Sequence, residues 1–320
     1  MQTAAIMNLM AFFGYHMPSF TFSGSAEDDL FDHVVTLARS AEAAGFELVT
    51  VMDHFYQITG VGKEEEPMLE GYTTLGALAR ETSKIRLATL VTGVTYRNPA
   101  LVAKMVTTID VLSKGRAVCG MGAAWNESEH LGYGFDFPPI KERMDRLEEA
   151  LQIIKLMFSE DRPSFAGKHY RIDRALNVPR PIQAGGPPIL VGGGGEKRTL
   201  RLVARYADMS HWFGSLEDIR RKREILDRYC EEEGRDPASI TRTMGSPVVL
   251  VENEGQVKSV MERMPPERRL MFKAATPEQA AEILQDYIEA GIEGFTFGNP
   301  TLRTTDEFGR VTRLIKAVKG

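Results

Sequence analysis

Cysteine is nearly absent from this chain of 320 residues: Cys119 and Cys230 are its two copies, and they fall in different expected elements. That argues against a disulfide framework and for a reducing compartment, so a cytoplasmic protein is expected. A basic excess is missing as well. The 39 Lys and Arg against 44 Asp and Glu give a net charge of -5, with no basic field to hold a nucleic-acid backbone. Long hydrophobic runs are also lacking. The apolar opening MQTAAIMNLMAFFGY has no cationic start of a signal peptide and falls short of the ~20 residues a bilayer requires. No membrane partner is expected, and the opening reads as a buried first strand within 5–13. Histidine is scarce, with six widely spread copies. Glu127, Glu129 and His130 have no second His or Cys at ligand spacing, and His-Glu-x-x-His is absent, so no metal is expected. A Gly-x-Ser-x-Gly elbow is missing too.

What the sequence does have is alternation. At 43% apolar and 26% charged residues the chain can bury a sizeable core. Apolar runs of four to eight residues recur, each followed by an amphipathic stretch. The expected strands after the first are LVTVM, IRLATLV, RAVCGMG, ILVG, DMSHWF, TMGSPVVLVE and EGFTFG. The expected helices span 27–44, 72–81, 99–112, 141–158, 196–206, 216–233, 277–290 and 306–319. Gly45 closes the first helix, Pro99 opens the third, and Met144, Leu147, Leu151, Ile154 and Met157 line one face of the fourth. Eight strand–helix units imply a parallel α/β fold. A closed (β/α)8 TIM barrel over 1–320, with an irregular insertion near 159–186, is expected over its competitor, an open doubly wound sheet in two domains. Function then belongs on the loops after the strands, the longest being 15–26, 54–71 and 123–140.

Four consecutive glycines in PPILVGGGGEKRTLRL follow strand five. They match neither a dinucleotide fingerprint, which would need glycine at Lys197, nor a Walker A loop. A glycine loop entering a helix lets successive N–H groups converge on an anion, with Lys197 and Arg198 able to add charge; the plainer alternative is a tight turn. Asp53 and His54 end strand two, where an imidazole with an unperturbed pKa near ~6.5 can position a ligand or move a proton, or be an ordinary loop histidine. TLVTGVTYRNP ends strand three as either a flat apolar wall for a planar ligand or barrel packing. Gly122, Ala123 and Ala124 permit close backbone approach after strand four. One phosphate-like site, an uncharged pocket and a histidine at its rim suit a phosphorylated planar cofactor better than hydrolysis.

At these residues the chain resembles the luciferase-like flavin and deazaflavin oxidoreductases. The resemblance runs from Asp53 through TLVTGVTYRNPALVAKMVTTIDVLSKGRA, GMGAAWNESEH and RLEEALQIIKLMF to PPILVGGGGEKRTLRLVARYAD. It is nearest to the branch dependent on coenzyme F-420, an 8-hydroxy-5-deazaflavin. The resemblance implies a (β/α)8 barrel in which Gly193, Gly194, Gly195 and Glu196 hold the cofactor phosphate. It places Leu90 and Val91, followed by Thr92, at the family's non-prolyl cis peptide beneath the ring. It makes His54 the catalytic histidine beside the reactive carbon, preceded by Asp53. Gly122, Ala123, Ala124 and Trp125 would line the ring and its ribityl chain. A sugar-phosphate dehydrogenase of the superfamily has a glutamate acid at about Ala124–Trp125, and this sequence has none, so that substrate is not carried over. Glu127, Glu129, Tyr96 and His16 stand as unranked proton-donor candidates. The implied chemistry is hydride transfer between C5 of the deazaflavin and a small organic substrate. The alternatives are an FMN-dependent monooxygenase supplied by a reductase and a non-catalytic phosphate-ligand binder. Oligomeric state stays open, with a homodimer through barrel helices common in the family.

Overall fold

The computed structural model describes residues 11–22, 27–269, 271–298 and 302–319. Its main sheet is entirely parallel and closes on itself. The barrel strands are β1 (Phe12–Met17), β2 (Leu48–Val51), β3 (Arg86–Thr89), β4 (Cys119–Gly122), β5 (Ile189–Gly192), β6 (Met209–Trp212), β7 (Thr241–Gly245) and β8 (Gly294–Phe297). β1 pairs with both β2 and β8, and the ring closes between β3 and β4. There Leu87 bridges Ala117, and the short strand Thr92–Gly93 pairs with Met121 and Gly122.

The barrel helices are α1 (Leu30–Ala44), α2 (Gly71–Glu81), α3 (Pro99–Ser113), α4 (Ile140–Ser159), α5 (Thr199–Tyr206), α6 (Leu216–Glu232), α7 (Pro277–Glu289) and α8 (Phe308–Lys319). Their ends follow local chemistry. Gly45 caps α1 at φ 96°, Asn98 caps α3 ahead of Pro99, and Ser215 and Thr276 form capping boxes with Asp218 and Gln279. The expected apolar face of α4 is buried at all five positions. Apolar residues between sheet and helices form the main core. A second cluster fills the lower bore of the barrel with Leu48, Ala88, Val118, Leu190 and Met209.

Three differences from the sequence reading have physical causes. β1 starts at Phe12, so most of the expected first strand lies outside the described residues. The run TMGSPVVLVE breaks at Pro247, which has no N–H for a ladder. Val248–Leu250 instead leaves the barrel and pairs with Lys273–Ala275, and the helix Glu254–Arg263 lies between them. α5 begins at Thr199 rather than Glu196, because Leu200 N–H reaches back to Gly195 O and leaves 196–198 as a turn. The expected irregular segment contains only the small antiparallel pair Phe165–Ala166 and Arg171–Ile172 among its described strands.

Two glycines of the inner wall matter to closure. A Cβ on Gly120 would lie 2.0 Å from Thr89 O, and one on Gly122 would lie 2.6 Å from Val91 Cγ2. β3 and β4 approach this closely only without those side chains. Gly120→Ala is therefore expected to cost about 1–3 kcal/mol, because backbone must shift to admit a methyl group. Urea unfolding checks this, and an unchanged midpoint would contradict the packing.

Candidate functional site

The loops at the C-terminal ends of the strands enclose a cleft of about 370 Å³. Asp53, His54, Leu90, Val91, Gly122, Ala123, Ala124, Trp125 and Gly193 all line it, as the sequence led us to expect. The Leu90–Val91 peptide is cis. Thr92 lies beneath the cleft instead: it is buried, with its hydroxyl 2.7 Å from Tyr72 Oη and 2.6 Å from Thr89 Oγ1.

At one end stands His54. Its Nδ1 is 2.7 Å from Glu129 Oε1, Phe55 N–H donates to Oε2 at 2.8 Å, and Tyr96 donates to Oε1. Glu129 sits on the short helix Glu127–Tyr133 and is wholly buried. Burial alone would push its carboxyl up, but the hydrogen bonds from His54, Tyr96 and Phe55 outweigh that and hold it below the usual carboxylate range. The carboxylate therefore accepts Nδ1–H and leaves His54 Nε2 as the nitrogen available to a ligand. Of the four proton-donor candidates, Glu129 thus pairs with His54, and Tyr96 with Glu129. His130 is occupied elsewhere: Nε2 is 2.6 Å from Thr95 Oγ1 and Nδ1 is 2.5 Å from Asn126 O.

Asp53 is buried and accepts from Gly93 N–H at 3.0 Å and Arg97 Nη1 at 2.8 Å. Burial pushes its carboxyl up against the pull of Arg97. Arg97 also donates to Glu70, which caps α2, so the chain runs from the cleft to a helix end. Asp53 Oδ1 has no partner among the described residues.

The opposite end is the glycine loop. Gly193 φ is 111°, and its N–H is engaged by His211 O at 3.0 Å. The N–H groups of Gly194, Gly195 and Glu196 have no acceptor among the described residues. Neither expected cation serves the loop in the way the sequence suggested. Arg198 pairs with Asp145 at 2.7 Å on α4, and Lys197 is exposed. The cation that reaches the loop is Lys222 of α6, which the sequence reading missed. It is 9% exposed, its Cε would touch a Cβ on Gly194 at 2.6 Å, and Nζ donates to Phe213 O at 3.0 Å. No carboxylate lies within ion-pair distance of it among the described residues. Glu196 pairs with Arg221. Lys222 was illegible because it lies on the next helix, in a run of similar basic residues.

Two further histidines line the bore. His16 Nδ1 is 2.8 Å from Thr50 Oγ1, and His211 Nδ1 is 2.9 Å from Thr243 Oγ1, each a strand neighbour in register. Thr243 donates its own hydroxyl hydrogen to Ser210 O, so it accepts from His211 Nδ1–H, and Nε2 bears the lone pair. That Nε2 has no partner among the described residues. Burial pulls His16 down to about 4 and His211 to about 3, so both are neutral near pH 7.

A family model described as luciferase-like monooxygenase matches residues 10–293. A glucose-6-phosphate dehydrogenase of Nocardia farcinica, named as F-420-dependent, is 29% identical over 87% of this chain and 91% of its own. Among solved structures, an F-420-dependent secondary alcohol dehydrogenase bound to an F-420–acetone adduct superposes with a TM-score of 0.77 at 21% identity, covering 96% of this chain and 99% of that one. The EDTA monooxygenase of a Chelativorans species does so at 0.81 and 16% identity, covering 96% and 94%. No helix among the described residues is long and apolar enough to cross a membrane.

The two depressed histidines make stability pH-dependent. Unfolded, each takes up a proton near ~6.5; folded, not until about 4 for His16 and about 3 for His211. Between those values the unfolded chain holds more protons, so stability present above pH ~6.5 falls as pH drops, by about 1.4 kcal/mol per pH unit for each histidine. His211→Gln should remove its share, which is measured by urea unfolding at pH 7 and pH 5. An unaltered pH dependence would contradict it.

Proposed function

This chain belongs to the luciferase-like monooxygenase family, and from that premise we propose that it is a coenzyme F-420-dependent oxidoreductase. One observation carries the reading: the cleft that His54 lines at one end reaches Gly193 and Thr199 at the other, beside a loop that Lys222 approaches and whose Gly194, Gly195 and Glu196 N–H groups have no acceptor among the described residues. The residues present fit a phosphorylated deazaflavin. Gly194, Gly195 and Glu196 offer N–H donors to the phosphate, and Lys222 offers the countercharge. Leu90, Val91 and the Gly122–Ala124 backbone provide walls without bulky side chains for a planar ring. Asp53 Oδ1 and His211 Nε2 are buried acceptors with no donor among the described residues.

When bound, the deazaflavin supplies a carbon-centred hydride donor or acceptor. The chain positions the reactants and excludes water around them. Glu129 fixes the His54 tautomer, and Nε2 is then placed to take a proton from a substrate hydroxyl, or return one to a carbonyl oxygen, as charge develops there. The substrate is a small molecule, and the cytoplasm and a homodimer belong to the same proposal.

Two experiments test this. In titrations followed by tryptophan fluorescence, the protein should bind F-420 in the micromolar range and more tightly than FMN. Lys222→Met should weaken F-420 by about tenfold while leaving the dephosphorylated deazaflavin unaffected. Preferential FMN binding would favour the two-component monooxygenase and overturn the proposal. Separately, Glu129→Gln should lower kcat by about 100-fold with cofactor affinity retained. An unchanged kcat would remove His54 orientation from the mechanism.

A further inference from the structure

Beyond His16, Leu90 and Phe213 the cleft adjoins a second cavity of about 480 Å³. The excursion that leaves the barrel after β7 supplies most of its wall: Val248, Val249, Val260, Met264, Pro265 and Phe272. The polar side chains around it already have partners within the protein. Ser246 Oγ donates to Val248 O and accepts from Val248 N–H, at 3.2 and 3.1 Å. Thr296 Oγ1 donates to Met244 O at 3.5 Å. Arg263 bonds Ser259 on its own helix, and Arg268 Nη2 donates to Gly60 O at 2.6 Å, tying the excursion to the loop after β2. Both arginines are exposed, at the solvent end. At the inner end His16 Nδ1 is held by Thr50, and its Nε2 has no hydrogen-bond partner among the described residues.

We propose that this chamber binds the apolar body of a ketone or secondary alcohol whose single oxygen lies at the end shared with the cofactor cleft. The inference rests on the deazaflavin reading above and narrows it to a substrate class. A sugar phosphate brings several hydroxyls and a dianion, each of which must replace lost water with a protein partner. Here the wall offers methyl and ring surface, which rewards a compact apolar body and discriminates against hydroxylated ones. In the oxidative direction the alcohol's carbinol C–H bond breaks, and its hydride and electron pair reduce the deazaflavin. The O–H proton passes to His54 Nε2, the C=O π bond forms, and two electrons are transferred in all.

The test uses the whole chain with oxidised F-420, comparing 1-phenylethanol with glucose-6-phosphate. The expected kcat/KM is about 100-fold higher for 1-phenylethanol. Val249→Trp, which fills the chamber, and the milder Val260→Gln on its more exposed wall should each raise KM for the alcohol while F-420 affinity stays unchanged. Equal or better turnover of glucose-6-phosphate overturns the inference. So does an unchanged KM in a folded Val249→Trp or Val260→Gln variant, or F-420 binding with turnover of neither substrate. Failure of the parent protein to bind F-420 at all overturns the function proposed above, and this inference with it.

Discussion

At Gly120, Gly122 and Gly192 the inner wall of the barrel carries no side chain, and Leu90–Val91 leans across the space this leaves. Both Val91 methyl groups would stand 2.9 Å from a Cβ on Gly192, and one would stand 2.6 Å from a Cβ on Gly122. The ring of strands closes between β3 and β4 because of that close approach. The same lean brings Leu90 and Val91 onto the cleft and makes Leu90, with His16 and Phe213, part of the boundary between cleft and chamber. Fold closure and site shape are one packing solution.

The bore changes character along its length. Its lower half is filled by Leu48, Ala88, Val118, Leu190 and Met209, and the layer above carries Thr50, His16, His211 and Thr243. Burying imidazoles is tolerable when they stay neutral and hydrogen-bonded, and the threonines in register hold one nitrogen of each. The charges near the cleft are handled differently. Glu129 is met by a histidine, a tyrosine and a backbone amide, and Asp53 by Arg97, so neither carboxylate is buried alone.

The eight-unit alternation was legible because a fully buried parallel strand reads as a continuous apolar run, and Gly45 and Pro99 mark a helix end and a helix start. Asp53, His54 and the glycine tract were legible because each immediately follows a strand. Partnerships were not. The pairing of His54 with Glu129 spans 75 positions, and Lys222 reaches Gly194 from a different helix. The excursion after β7 was hidden because Val248–Leu250 continues the strand's apolar pattern, and only Pro247 marks the departure. The resemblance implied positions for a cofactor, whereas the free and engaged N–H groups of the loop had to come from its conformation.

The hydrogen bond from Thr243 to Ser210 O settles more than a local geometry. By consuming the hydroxyl hydrogen, it makes His211 a permanent acceptor, and burial keeps that imidazole from changing state in ordinary cellular conditions. His16 is likewise held neutral. Of three imidazoles around one cavity, two therefore behave as fixed dipoles, which leaves the proton transfer of the proposed function to His54.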